Sequence, residues 1–159
     1  MDEILRVLEK DARTAPKEIA AIVNQSEGDV KKKIKEMEKK GIIRKYKTVV
    51  NWEMAGKEQV YAMIDVKVVP ERDRGYDAVA ERIMRFPEVR GLHLISGTYD
   101  LSVIVRGNNM KEVAYFVSDK VAPLEQVQGT VTHFILKRYK EDGDVLFGEG
   151  ENKRLAVSP

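Results

Sequence analysis

The sequence predicts an α+β protein in which a helical N-terminal third precedes a longer segment of mixed strands and helices. Two observations support this fold class. Apolar residues recur every three or four positions up to about residue 41, which is the period of a helix with one buried face. From residue 59 onward, Val- and Ile-rich runs have the length and alternation of strands. A chain of 159 residues, 43% hydrophobic and 34% charged, suits one or two small domains.

The composition narrows the function classes. Cysteine is absent, so disulfides, thiolate nucleophiles and cysteine-based metal sites are excluded, and we expect a reducing, cytoplasmic location. No apolar run approaches ~18 residues and the N-terminus lacks a signal-peptide pattern, so we expect no membrane partner. Residues 1–51 carry 13 Lys and Arg against 9 Asp and Glu, whereas residues 52–159 carry 15 against 17. An acidic partner should therefore meet the N-terminal third.

Three helices are predicted in that third. The first covers Asp2–Lys10, and the second begins at Pro16, because proline is tolerated in the first turn of a helix. Ser26 is a good N-cap for the third helix, which Gly41 ends. Two short helices joined by a tight turn, over about residues 16–35, predict a helix-turn-helix.

The charges of the third helix are sorted by face. A wheel with about 100° per residue places Val30, Ile34 and Met37 on the buried side. The opposite ridge consists of Gly28, Lys32, Lys35 and Lys39. The other lysines have an acid four residues earlier, in the pairs Glu27–Lys31, Asp29–Lys33 and Glu36–Lys40. The ridge lysines lack such an acid, and the glycine would let a backbone approach a phosphate closely.

This pattern favours DNA contact over the alternative, a solvated three-helix bundle without a ligand. The predicted DNA-binding residues are Ser26, Glu27, Gly28, Lys31, Lys32, Lys35 and Lys39 of the helix, and Arg44, Lys45 and Lys47 of the β-prone run that follows. We interpret that run as a short strand or wing. Lys35 and Lys39 are expected to hold phosphates, and any base contact should come from the N-terminal end of the helix.

The C-terminal part is predicted to follow the order β-α-β-β-α-β, the ferredoxin-like split unit. Its predicted strands are Gln59–Val69, Arg90–Ser96, Leu101–Gly107 and Val127–Lys137, and its predicted helices are Gly75–Phe86 and Asn108–Val121. The strands are more apolar than one covered face requires. The sheet of a second copy is the simplest cover for the other face, which predicts a homodimer.

No catalytic constellation is evident. Common nucleotide, metalloprotease and hydrolase motifs are absent, and His93 and His133 lie inside strands, where a structural role is more common. We expect no enzyme activity, no metal and no cofactor. The turn Gly97-Thr98-Tyr99-Asp100 combines backbone freedom, an aromatic face and a carboxylate that suits an ammonium group. A plain hairpin turn is the alternative, because Gly, Thr and Asp are ordinary turn residues.

Together these features resemble the leucine-responsive/asparagine regulator (Lrp/AsnC) family of transcriptional regulators over about residues 2–138. The matching motifs are Asp11-Ala12-Arg13, Glu18-Ile19-Ala20, the spaced set Ser26, Val30, Lys33 and Ile34, then Gly41-Ile42-Ile43, and the Gly-x-Tyr-Asp turn. Asn24 stands where the family often has glycine, and asparagine also tolerates a left-handed backbone. The helix carries lysines where many members have arginines, so we expect the ridge to favour phosphates over bases.

The resemblance implies a sequence-specific DNA-binding transcriptional regulator, controlled by a small molecule such as an amino acid, whose dimers assemble further into octamers. Family effectors bind between dimers near the Gly-x-Tyr-Asp turn, which implicates Gly97, Thr98, Tyr99 and Asp100, with Thr132 on the last strand as a further candidate. The rival readings are an architectural protein that binds DNA of any sequence, and a metabolite-binding module or small enzyme on the ferredoxin-like domain.

We divide the chain into a DNA-binding domain (1–51), a linker (52–58), a ligand-sensing and oligomerisation domain (59–138) and a C-terminal extension (139–159). Within the extension, residues 144–147 and 154–157 are predicted either to form short strands that pair or to pack on a partner. A disordered tail is the alternative.

Overall fold

The computed structural model describes residues 2–146, and the chain divides into two compact units between Val49 and Val50. The N-terminal unit contains the helices α1 (Asp2–Lys10), α2 (Pro16–Ile22) and α3 (Glu27–Lys39). The C-terminal unit contains β1 (Val60–Val68), α4 (Asp77–Ile83), β2 (Val89–Leu94), β3 (Leu101–Gly107), α5 (Met110–Phe116), β4 (Val127–Ile135), β5 (Lys140–Glu141) and β6 (Asp144–Val145). No helix in the described part of the chain is long and apolar enough to cross a membrane.

The helices of the N-terminal unit begin where the sequence predicts. Ser26 caps α3: its Oγ accepts the Asp29 N–H at 3.1 Å and donates to Asp29 Oδ2 at 2.7 Å. Gly41 follows the helix with a φ of 70°, the left-handed conformation that ends many helices. Asn24 adopts a φ of 50° between α2 and α3, so the predicted turn forms without glycine.

A small apolar core holds these helices together. Ile4, Ile19, Val30 and Met37 are completely buried, and Ile43 packs against this cluster from the segment after α3. One buried side chain of this size contributes about 1.5–3 kcal/mol. The core therefore fixes which face of α3 points inward.

The C-terminal unit is a four-stranded antiparallel sheet in the order β2-β3-β1-β4, which confirms the predicted ferredoxin-like arrangement. One face of the sheet packs against the helices. Its core consists of Ala62, Ile64, Val66 and Val68 of β1, Leu101, Val103 and Val105 of β3, and Val79, Ile83, Val113, Phe116 and Val121 of the helical segments. The alternate residues of each strand point to the second face of the sheet. On that face, Met63 of β1 lies between Ile104 of β3 and His133 of β4.

The second face, which we call the open face, mixes apolar and polar groups. Met63 is 36% exposed, and Val131 and Ile135 are exposed to about the same extent. Asp65 Oδ2 lies 3.2 Å from Nε2 of His133 on the same face. This contact links β4 to β1, and the structural role that the sequence favours for His133 stays a prediction.

Three local predictions are corrected. The run after α3 forms no strand, because nothing within residues 42–59 supplies a neighbouring strand for its backbone hydrogen bonds. The predicted helix 108–121 is α5 followed by a π-helical turn at Val117–Val121. Asp144–Val145 pairs with Lys140–Glu141 across a tight turn, whereas the other predicted partner, 154–157, lies outside the described residues.

Candidate DNA-binding surface and effector-binding turn

Lys32, Lys35 and Lys39, which we call the lysine ridge, lie on the face of α3 opposite the buried Val30 and Met37. All three side chains are exposed. Within residues 2–146, no acid forms an ion pair with any of them. The ridge is thus a row of unneutralised ammonium groups, spaced by about one helical turn.

Glu27 and Lys31 form an ion pair at the start of the same helix. Lys31 Nζ lies 2.6 Å from Glu27 Oε1, and the two side chains are 57% and 44% exposed. The hydrogen bond from Lys31, and then its charge, hold the pKa of Glu27 below the ordinary glutamate value, and the charge of Lys17 acts in the same direction. Of the three predicted pairs on α3, this one forms.

The other two predicted pairs do not form in the described chain. Lys33 is half-buried and donates to Gln25 Oε1 at 2.5 Å, while the Asp29 carboxylate is held by Ser26 at the helix cap. Glu36 and Lys40 make no ion pair among residues 2–146. For Lys33, a partner just before the helix therefore replaces the acid four residues earlier.

Gly28 is not required by the packing of α3. A Cβ at this position would meet only Ser26 Oγ, at 3.8 Å, which is an ordinary contact. Glycine inside a helix is less favourable than alanine by about 0.5–1 kcal/mol. The predicted close approach of a phosphate here stays a prediction.

The segment after α3 carries Arg44, Lys45 and Lys47, all exposed. Tyr46 donates from its hydroxyl to Glu38 Oε1 at 2.9 Å, which ties the segment to α3. Burial, and then this bond to the carboxylate, raise the pKa of Tyr46. The sequence does not predict this contact, because no helical or strand period links residues on either side of the Gly41 turn.

The turn Gly97-Thr98-Tyr99-Asp100 connects β2 to β3. Gly97 has a φ of 152°, which side-chain-bearing residues rarely adopt. The Ile95 N–H donates to the Asp100 carbonyl at 2.8 Å, and the Asp100 N–H donates to the Val66 carbonyl at 3.1 Å. Thr98 is exposed and Tyr99 is half-buried.

The Asp100 carboxylate already has partners in its own unit. It accepts the Val68 N–H at 2.9 Å and lies 3.1 Å from Lys67 Nζ, and the Tyr76 hydroxyl approaches it at 3.5 Å. The Val68 N–H, followed by Lys67, holds the pKa of Asp100 below its ordinary value, although burial opposes the shift. The ammonium group that this carboxylate suits is therefore supplied by Lys67.

Thr132 does not share the turn's position. It lies on β4 opposite Ile64, so its side chain points to the helix-covered face of the sheet.

A cavity of about 470 Å³ lies nearer the 97–100 turn, between α4 and β2, and is lined by Tyr76, Leu94 and Leu101 among others. Leu94 is 62% exposed there. This volume is in the range of small-molecule sites, about 300–1,000 Å³.

No group of three or more His, Asp or Glu side chains in residues 2–146 is arranged to hold a metal ion. The charged groups of both candidate surfaces are instead lysines, arginines and single carboxylates. This arrangement suits binding through hydrogen bonds and charge.

Two family models match the chain. The Lrp/AsnC ligand binding domain matches residues 61–145, and a winged helix-turn-helix DNA-binding domain matches residues 3–44. The uncharacterised HTH-type transcriptional regulator YugG of Bacillus subtilis is 48% identical over 158 residues, which cover 99% of this chain and 95% of that protein. The HTH-type transcriptional regulator FL11 of Pyrococcus furiosus is 33% identical, with 87% and 89% covered.

Solved structures share the fold. A transcriptional regulator of Neisseria meningitidis, solved as a complex with L-methionine, is 25% identical with a TM-score of 0.70, and 87% of this chain and 89% of that one are covered. Escherichia coli AsnC, at 22% identity and a TM-score of 0.67 over 87% and 91% of the two chains, supports the fold alone. The chain is an Lrp/AsnC-type DNA-binding transcriptional regulator with a ligand-binding domain, and it belongs to the Lrp/AsnC family.

Proposed function

We propose that the protein binds its DNA sites through α3, with the lysine ridge holding backbone phosphates. The observation that carries this is the row of three exposed ammonium groups without an acidic partner in the described chain. Lysine is a compact point charge and matches a phosphate well, whereas arginine is the better bidentate reader of bases. Base contacts then come from the N-terminal end of α3, around Ser26, Glu27 and Gly28.

Arg44, Lys45 and Lys47 contact flanking phosphates in this proposal. The Tyr46–Glu38 hydrogen bond supports it, because it holds the exposed cationic segment beside α3. A segment anchored in this way loses less conformational entropy when it binds. The domain limits that we propose remain 1–51, 52–58, 59–138 and 139–159.

Footprinting on chromosomal fragments separates the regulator from an architectural protein. Discrete protected sites, retained when competitor DNA of unrelated sequence is added, support sequence-specific regulation. Uniform protection that spreads with protein concentration supports the architectural alternative. The Lys35→Ala variant is the matched sample, since it should weaken protection everywhere without moving its boundaries.

We further propose a homodimer in which two open faces pack together, as sheets do about 10 Å apart. Exposed Met63, Val131 and Ile135 support this, because burial of apolar surface stabilises association. Light scattering after gel filtration tests it. Met63→Glu should give a monomer, while Met110→Glu, which charges an exposed residue of α5 instead, should leave the dimer intact. If the mass of Met63→Glu equals that of the wild type, the proposed interface is wrong. A wild-type mass above that of a dimer supports an octamer.

The proposed effector is an apolar amino acid bound beside the 97–100 turn. Leu94 and Leu101 line the neighbouring cavity, and the 25%-identical Neisseria regulator was solved with L-methionine. In this proposal the ligand extends from the cavity to Thr98 and Tyr99, and Asp100 holds the turn in place. Thr132 is proposed only as a support for the sheet beneath.

Calorimetry with each of the twenty amino acids tests the effector. We expect heat with L-methionine or L-leucine, lost in Leu94→Glu and retained in Met110→Glu. If no amino acid gives binding heat, the amino-acid effector is ruled out and the DNA-binding proposal is unaffected. We propose that the protein acts by binding alone, in the cytoplasm with its DNA; turnover of a bound metabolite would support the enzyme alternative.

A further inference from the structure

The Glu27–Lys31 pair differs from the lysine ridge in a way that affects base recognition. Its charges cancel, so it adds almost nothing to the attraction for phosphates, which depends on net positive charge. Yet both side chains are about half exposed, and they lie within the first two turns of α3. The N-terminal residues of a recognition helix are the ones that reach base edges.

We propose that Glu27 and Lys31 together read one G·C base pair in the major groove. Glu27 accepts a hydrogen bond from cytosine N4, and Lys31 donates to guanine O6 and N7. This inference rests on the proposed function, in which α3 enters the major groove.

The spacing of the two groups matches that base pair. Cytosine N4 and guanine O6 are joined by a hydrogen bond, so they are about 2.9 Å apart. Lys31 Nζ and Glu27 Oε1 are 2.6 Å apart. The acceptor and the donor of the protein therefore face the donor and the acceptor of the base pair without breaking their own ion pair.

An A·T pair fits less well. Its two major-groove acceptors, adenine N7 and thymine O4, lie on either side of the adenine amino group, so one ammonium cannot contact both. The thymine methyl group also lies beside O4, where a charged lysine would lose water without gaining a partner. Guanine presents O6 and N7 as neighbours to the same ammonium.

The ion pair also explains how a carboxylate can lie in the major groove of DNA despite repulsion by the phosphates. A lone Glu27 would be repelled by the phosphates, but Lys31 offsets its charge, and Lys17 on α2 lies close enough to stabilise the ionised form. The pair is already formed in the free protein. Less ordering is therefore needed on binding than for two independent long side chains.

Selection from a pool of randomised duplexes tests the proposal with the full chain. The wild type should select G·C at a recurring position, with a preference over A·T of about 5- to 150-fold. Glu27→Gln and Lys31→Met should each lose the preference at that position alone. The two changes should not add in the double variant, because each breaks the same pair.

Lys35→Ala is the matched control and should weaken all sequences alike while keeping the preference. If Lys35→Ala weakens binding but Glu27→Gln and Lys31→Met select the wild-type sequences, this inference is overturned and the proposed interface stands. If wild type selects A·T at the position that both variants lose, the G·C assignment is wrong. If none of the variants changes affinity or preference, α3 is not the interface and the proposed function fails with it.

Discussion

Removal of the lysine ridge gives a direct measure of how α3 meets DNA. The perturbation is Lys32→Ala, Lys35→Ala and Lys39→Ala, singly and together. Alanine has the highest helix propensity, and none of the three lysines has an acidic partner in the described part of the chain. We therefore expect α3 to keep its fold and the effect to fall on binding.

The magnitude follows from counterion release. Each lysine–phosphate contact contributes about 0.9 to the slope of log K against log salt concentration, so the triple variant should lose about 2.7 per DNA-binding unit. At about 0.15 M salt the same relation gives roughly a fivefold loss of affinity per lysine and roughly 150-fold for all three. These values are upper limits, because a side chain that only approaches a phosphate releases fewer ions.

Fluorescence anisotropy with a labelled duplex, repeated over a series of salt concentrations, measures both affinity and slope. The sequence of the duplex is unimportant, since phosphate contacts act on any DNA. Lys40→Ala is the control. This substitution also removes one charge, at the exposed C-terminal cap residue of the same helix. On the helical wheel, however, Lys40 lies about 120° from Gly28 and therefore outside the lysine ridge.

Two results would refute this reasoning. An unchanged slope in the triple variant means that the ridge does not touch phosphates. An effect of Lys40→Ala as large as that of Lys35→Ala means that DNA responds only to the net charge of the unit. Circular dichroism of each variant establishes that the helices persist.

Three further predictions concern stability. Met37→Ala should lower the free energy of unfolding of the N-terminal unit by about 2–5 kcal/mol in denaturant melts, because it opens a cavity in a fully buried site. Lys120→Ala should lower the free energy of unfolding of the C-terminal unit by about 1–2 kcal/mol in denaturant melts. The reason is that Glu88 Oε1 loses its ion-pair partner, while Glu88 Oε2 already has no hydrogen-bond partner among residues 2–146. Asp100→Asn should lower the melting temperature at neutral pH but not in acid: the pKa of Asp100 is depressed below 3.8, so its stabilisation is lost as pH falls through the folded-state value. An Asp100→Asn difference that persists in acid would show that the ionised carboxylate is not the cause.

Local chemistry made most of the fold predictable. Pro16, Ser26 and Gly41 mark helix ends through backbone geometry and capping, which depend on a few neighbouring residues. The alternation along β1 likewise predicts which side chains face the helices. The strand predicted after α3 shows the limit, because a strand depends on a partner elsewhere in the chain and this run pairs with none among the described residues.

The candidate sites were predictable only as residue types. The lysine ridge could be found because a helix repeats every 3.6 residues and charges on one face can be counted. The partners of Lys33, Tyr46 and Asp100 could not, since Gln25, Glu38, Lys67 and Tyr76 reach them across turns or neighbouring strands. Charge patterns therefore predict a surface well and predict poorly which of its groups remain available.

Glu27 and Asp100 show why availability decides function. Both are carboxylates predicted to bind a ligand, and both hold a lysine in the structure. The Asp100 side chain is 14% exposed and also accepts a backbone N–H of β1, so a ligand would have to displace bonds that hold the turn to the sheet. The Glu27 side chain is 44% exposed, and no other side chain donates a hydrogen bond to it within the described residues. The same residue type is thus a positioning group in one unit and a candidate reader of DNA in the other, and the number of bonds that each must give up is the physical difference between them.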